Sequence, residues 1–158
     1  MEARISYFDN PITAKLIKHL TAAGQVLRDS GLPAATMNLV EIRASQINGC
    51  AGCLDMHTKD AAEAGETAVR LNLVAGWREA TVFTDAERAA LLLAEEGTRI
   101  ADGAGGVSDD VWANAAQYYD EAQLAALVCV IGIINFYNRL NVITRQPAGD
   151  YKPGQWSS

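Results

Sequence analysis

Two thiols and one of the chain's two histidines stand within eight residues, in Cys50-Ala51-Gly52-Cys53-Leu54-Asp55-Met56-His57. The preceding Asn48-Gly49 reads as a break and cap, so a helix is expected to open at the thiols. On a helix, an i, i+3 spacing puts two Cα atoms about 5–6 Å apart, within disulfide reach. His57 is i+4 from Cys53 and i+7 from Cys50, so the three side chains share one stripe. A helix N-terminus carries partial positive charge and favours a thiolate there, and an adjacent imidazole can take the thiol proton. These are the parts of a redox or nucleophilic thiol site. A peroxide needs a thiolate to attack it and a proton for its leaving oxygen; the resulting sulfenic acid condenses with a second thiol to a disulfide. Helix-end electrostatics point to Cys50, nearer the helix end and expected to be the more exposed, as the attacking thiol.

Other uses of such residues are weaker. A free cysteine is often a small buried apolar residue, but a CxxC pair with a histidine four residues on is less easily read that way. Structural zinc needs four ligands; the chain has no second CxxC or HxxxH, and its other histidine, His19, reads as a surface or packing residue. Haem attachment needs a histidine directly after the second cysteine, where Leu54 stands. A thioredoxin-type CxxC follows a strand, and the residues before Cys50 do not read as one. No metal and no cofactor is expected.

The elements that must position these residues are helical. Asn10-Pro11 starts a first helix carrying Leu16, Ile17, Leu20, Ala23 and Leu27, which stops near Ser30-Gly31. Met37 to Ile47 forms a mostly apolar second helix, and the thiol helix runs on to Gly65. A further helical pattern covers Glu66 to Trp77. Thr84 and Glu87 make a capping box for a long apolar helix, and Ser108 and Asp120 cap two more, the last from Glu121 to about Thr144. That last helix is apolar on nearly all sides between Leu124 and Ile134, a run too short to span a bilayer and suited to a core or a subunit contact. Cys129 within it is expected in the core. Asp55 and Asp60 are expected to face solvent or to complement the helix, and Asn135, Tyr137, Asn138 and Arg139 to serve an interface or helix-end hydrogen bonds rather than to line a pocket. No convincing strand appears, so the expected fold is all-α, a bundle of six to seven helices in one domain, 1–158.

Composition sets bounds. With 158 residues, 49% of them hydrophobic, the chain can bury one real core. A net charge of −6 argues against nucleic acid, and no basic amphipathic segment suggests membrane binding. The N-terminus lacks a secretory h-region. Three cysteines, two of them in CxxC, fit a reducing compartment, so a cytoplasmic location is expected.

The run Ser45–His57, with its CxxCxxxH core, resembles the signature of the AhpD-like alkylhydroperoxidase/carboxymuconolactone decarboxylase superfamily. The similarity continues through Phe83-Thr84-Asp85-Ala86-Glu87-Arg88-Ala89 and Ile134-Asn135-Phe136-Tyr137-Asn138-Arg139-Leu140-Asn141. The resemblance implies an AhpD-like helical fold assembled as a trimer or hexamer. It also implies a thiol-dependent peroxidase acting on a small hydroperoxide, with Cys53 beside His57 as the peroxide-reactive thiol. Cys50 is then the resolving thiol, reduced by a lipoyl- or thioredoxin-like dithiol. The hydroperoxidases it resembles carry a glutamate twelve residues before the first cysteine, where this chain has Asn38, which cannot act as a base. Glu41, one helical turn on and on roughly the same face, is the candidate substitute; its competing reading is a surface ion pair. The missing glutamate leaves open a weak or non-enzymatic thiol-redox sensor or disulfide reductase. A lactone decarboxylase-like enzyme is the third possibility, although that chemistry does not call for a thiol pair.

Overall fold

Side-chain caps decide where the helices begin. Asn10 accepts hydrogen bonds from the backbone N–H groups of Ile12 and Thr13, and Pro11 supplies a first-turn residue that needs no donor, so α1 runs Pro11–Arg28. Thr84 and Glu87 form the expected capping box of α5 (Asp85–Thr98), and Ser108 caps α6 (Asp109–Ala115). Asp120 and Gln123 form a second capping box, on α7 (Glu121–Thr144). Between them lie α2 (Ala34–Asn48), α3 (Ala51–Glu63), the short α4 (Ala68–Leu73) and a 3-10 turn at Val74–Gly76. This architecture is that of a computed structural model describing residues 2–103 and 105–156. Among the described residues there are seven α-helices and no strand, as the sequence predicts.

The middle of the bundle is α2, which packs against α7, α5 and α3. It buries Thr36, Met37, Leu39, Val40, Ile42, Ala44 and Ser45, residues spread around its circumference, because neighbours cover it on several sides. Leu39, Ile42, Leu91, Leu127 and Ile134 are fully buried, and truncating any one to Ala is expected to cost about 2–5 kcal/mol. In contrast, α1 buries no residue completely; Ile12 is 76% exposed and Leu16 is also exposed, so its apolar stripe is only partly used within this chain.

The last helix, α7, is longer than its apolar run and, by length and composition, is sufficient to cross a membrane. It packs against α1, α2, α3 and α5, and two of its asparagines turn into the bundle. Asn138 is completely buried, accepts from Asn48 Nδ2 at 2.8 Å and donates to Ser45 Oγ at 3.0 Å. Asn135 accepts from Asn48 Nδ2 at 2.9 Å and donates to Thr98 Oγ1 at 3.0 Å. These asparagines therefore tie α7 to α2 and α5, where an interface or helix-end role was expected; a buried amide must find partners, and α2 presents them. Cys129 also departs from expectation. It is exposed, because the core-facing positions around it are Ala126, Leu127, Val130 and Ile131.

After α7 the chain runs back over α3 without helix or strand. Asp55 Oδ2 accepts from the backbone N–H groups of Gly149 and Tyr151, at 2.6 and 3.2 Å. Lys59 Nζ donates to the carbonyls of the same two residues, each at 2.9 Å. Asp60 accepts from the Tyr151 hydroxyl and the Gly154 N–H. So Asp55 and Asp60, expected to face solvent or to complement the helix, are half-buried anchors for the tail. Burial and the Asp60 carboxylate push the Tyr151 hydroxyl up to about 12, which keeps it a donor.

Candidate active site

The site begins with the way α2 ends. Gly49 takes a left-handed conformation, φ 66°, and its N–H returns to Gln46 O while the Cys50 N–H returns to Ser45 O. Only glycine adopts this conformation without cost, and it turns the chain sharply into α3. Cys50 thereby becomes the N-cap of α3. Its Sγ accepts the N–H of Cys53 at 3.3 Å, the bond that Ser or Asp makes at such a position. The cysteine Cα atoms are 5.4 Å apart, and Cys50 and Cys53 are joined as a disulfide.

Neither sulfur-bearing residue is the exposed one. Cys50 is 1% and Cys53 2% exposed, packed with Ala44 on α2 and with Ile134 and Tyr137 on α7. The expected greater exposure of Cys50 fails because the helix opening points into the α2–α7 junction. On α3 the buried residues are Cys53, His57 and Ala61; Cys53 and His57 lie on the stripe anticipated from spacing, and Ala61 continues it one turn further.

His57 is held from α2. Its Nδ1 lies 3.1 Å from Glu41 Oε2, with side chains 11% and 25% exposed. Burial by itself would push the imidazole pKa down. The Glu41 carboxylate, by charge and by hydrogen bond, and the charge of Asp60 outweigh that and hold it above its usual 6.5. Glu41 thus spends its carboxylate on the site histidine. The bond also leaves Nε2 as the free ring nitrogen. Asn38, at the position where the resembled hydroperoxidases have glutamate, is half-buried on the same helix.

Sequence reasoning did not assign Asn141 or Tyr7 to the site. Asn141 Nδ2 is 3.0 Å from Cys53 Sγ and 3.6 Å from Cys50 Sγ. The Tyr7 hydroxyl is 2.9 Å from Asn141 Oδ1 and 2.7 Å from Thr144 Oγ1. Asn141 closes the third segment of family resemblance, the one signal that pointed toward it. Tyr7 gave none. Among the described residues, no cluster of three His, Cys, Asp or Glu side chains is placed to hold a metal ion.

An all-helical bundle whose thiol helix opens with CxxC and carries a histidine one turn on is the AhpD-like architecture. The chain belongs to the carboxymuconolactone decarboxylase family, whose model matches residues 14–96. It is 36% identical over 142 residues to the uncharacterized protein YdfG of Bacillus subtilis, covering 90% of this chain and 94% of that one. It is 31% identical over 119 residues to the uncharacterized protein YnjA of Escherichia coli, covering 75% and 64%. Among solved structures it is similar to ATU0492 of Agrobacterium tumefaciens, a protein of unknown function for which AhpD-type antioxidant defence has been suggested. There the TM-score is 0.86 at 32% identity, with 95% of this chain and 100% of that one covered. The debrominase Bmp8, solved with 2,3,4-tribromopyrrole, shares the fold at 19% identity, with a TM-score of 0.71 over 87% of this chain and 75% of its own. The family takes its name from an enzyme, carboxymuconolactone decarboxylase.

Proposed function

We propose that this protein is a thiol-dependent peroxidase of the alkylhydroperoxidase kind, working in antioxidant defence on small hydroperoxides. The observation that carries the reading is the Cys50–Cys53 disulfide at the opening of α3, with His57 on the same stripe and ion-paired to Glu41.

In the reduced protein the Cys53 thiolate attacks the terminal peroxide oxygen. The S–O bond forms as the O–O bond breaks, and the departing alkoxide takes a proton from the His57 imidazolium, giving an alcohol and a sulfenic acid. Cys50 then attacks the Cys53 sulfur, water leaves, and the disulfide closes. A lipoyl- or thioredoxin-like dithiol reduces it by exchange, becoming a disulfide itself. Glu41 orients the ring and favours its protonated form, the task that Asn38 cannot perform. Apolar residues on the outer faces of α1 and α7, among them Ile12, Leu16, Val128, Val142 and Ile143, support a homo-oligomer, a trimer or hexamer. The thiol chemistry fits a reducing cytoplasm.

Burial of both cysteines supports one competing reading, a slow thiol-redox sensor or disulfide reductase. Peroxide consumption with a dithiol donor separates the two, comparing wild type with Cys53→Ser and Cys50→Ser. Turnover that needs both thiols supports the peroxidase. A reversible disulfide without turnover supports the sensor, and lactone turnover without the thiols supports a decarboxylase-like enzyme.

A further inference from the structure

The disulfide sulfurs meet one side-chain amide, and it comes from α7. Asn141 stands 88 residues from Cys53 in the chain, yet its Nδ2 lies 3.0 Å from that sulfur. A disulfide sulfur or a thiolate has no proton to give and can only accept, so the amide must turn its NH2 toward it. The other end of the amide is fixed accordingly. Its Oδ1 accepts the Tyr7 hydroxyl at 2.9 Å, and Tyr7 is braced against Thr144 Oγ1 at 2.7 Å. With the Tyr7 proton given to Asn141, the Thr144 hydroxyl gives its own to Tyr7 and accepts from Gln146 Nε2 at 3.0 Å, so the brace is itself held by the segment after α7. Burial raises the Tyr7 pKa above its usual 10.0, which keeps its proton available to Asn141.

We propose that Asn141 is a catalytic residue whose Nδ2–H group holds the Cys53 sulfur as a thiolate, with Tyr7 as the positioning residue that fixes its orientation. Naming Cys53 as the reacting sulfur rests on the peroxidase reading above. When the disulfide is reduced, each sulfur is freed and Cys53 keeps a neutral donor at hydrogen-bond distance. A donor to the charged form favours that form. Unlike His57, the amide does not titrate, so it supports the thiolate even where the imidazole has lost its proton. As the S–O bond forms, negative charge leaves the sulfur for the alkoxide; the amide makes its largest contribution before attack, by setting the fraction of thiolate.

The test is alkylation by iodoacetamide across pH, in a protein carrying Cys50→Ser and Cys129→Ser so that Cys53 is the sole thiol of the three. Adding Asn141→Ala is expected to raise the alkylation midpoint by about one pH unit, a tenfold loss of reactive thiolate near neutral pH. Asn141→Asp, nearly the same shape, sets a carboxylate against the sulfur and should raise it further. Tyr7→Phe should raise it by less than Asn141→Ala. A merely structural role would not order the three in this way. An unchanged midpoint in Asn141→Asp and Tyr7→Phe overturns the proposal, whether or not Asn141→Ala folds. No peroxide enters this assay. A protein that fails to consume peroxide but shows the shifts would sink the peroxidase reading and leave the role of Asn141 standing.

Discussion

Glu41→Gln removes the charge beside His57 while keeping the shape of the side chain. In the structure the carboxylate is 3.1 Å from Nδ1, and neither side chain is more than a quarter exposed. A hydrogen bond to a charged group contributes about 1.5–3 kcal/mol. If the peroxide step uses the protonated ring, that energy appears in the barrier, and the oxidation rate of reduced protein should fall about 10- to 150-fold. The pH dependence supplies the sign. The ring's pKa is held above 6.5 in the fold, so its ion pair stabilises the protein fully below 6.5 and the contribution is lost as pH rises through the raised value. Glu41→Gln should therefore cost most stability in mildly acid solution and progressively less in alkaline solution. The rate profile should also move to lower pH, since burial is then opposed by the charge of Asp60 without that of Glu41. Single-turnover oxidation by an organic hydroperoxide, followed from pH 5 to 9 beside urea unfolding at the same pH values, measures both effects. An unchanged rate with an unchanged profile would refute the reasoning and return Glu41 to the status of an ordinary ion pair.

Further predictions concern the scaffold. Cys50 caps α3 through its sulfur, so in reduced protein Cys50→Ala should lose about 1 kcal/mol more stability than Cys50→Ser, read by denaturant unfolding with a reductant present. Glu95, in the last turn of α5, accepts from Arg43 Nε at 2.7 Å, from Trp77 Nε1 at 3.1 Å and from Arg78. Burial would raise its pKa, but these donors together hold it below 4.5, so its contribution is present above pH 4.5 and lost as pH falls through the lower folded value. Glu95→Ala should cost about 3 kcal/mol at pH 7, because Arg43 and Trp77 are left without their partner, and should flatten the acid limb of the stability curve. Arg145 ends α7 at φ 56°, a conformation that strains any side chain with a Cβ; Arg145→Gly should raise stability by about 0.5–1 kcal/mol in thermal or denaturant melts.

Signals confined to one helix were readable from the chain. Asn10, Thr84 with Glu87, Ser108 and Asp120 each announce a helix start by residue type alone, and each caps where expected. The stripe of Cys53, His57 and Ala61 follows from periodicity, and the turn at Gly49 from the Asn-Gly pair. What depends on how helices dock was not readable. Cys129 lies within an apolar run, and no local pattern says which side of α7 meets α2. Asn138 suggests an interface or helix-end role in the sequence, and only the packing of α2 brings Ser45 and Asn48 against it. The tail anchors Asp55 and Asp60 take partners more than 90 residues away. Asn141 escaped for the same reason: its meeting with Cys53 exists only once α7 lies across the opening of α3. Glu41 stands between these cases. Its nearness to the position of Asn38 made it a candidate, but only the packing of α2 on α3 brings it to His57.

Mass spectrometry of the fully reduced protein after one equivalent of an organic hydroperoxide tests the central claim most directly. The account predicts loss of two hydrogen atoms, a linkage mapped to Cys50 and Cys53, and in Cys50→Ser a single added oxygen trapped on Cys53. Peroxide left unconsumed with both thiols intact, or oxidation found on the exposed Cys129 instead, would contradict it.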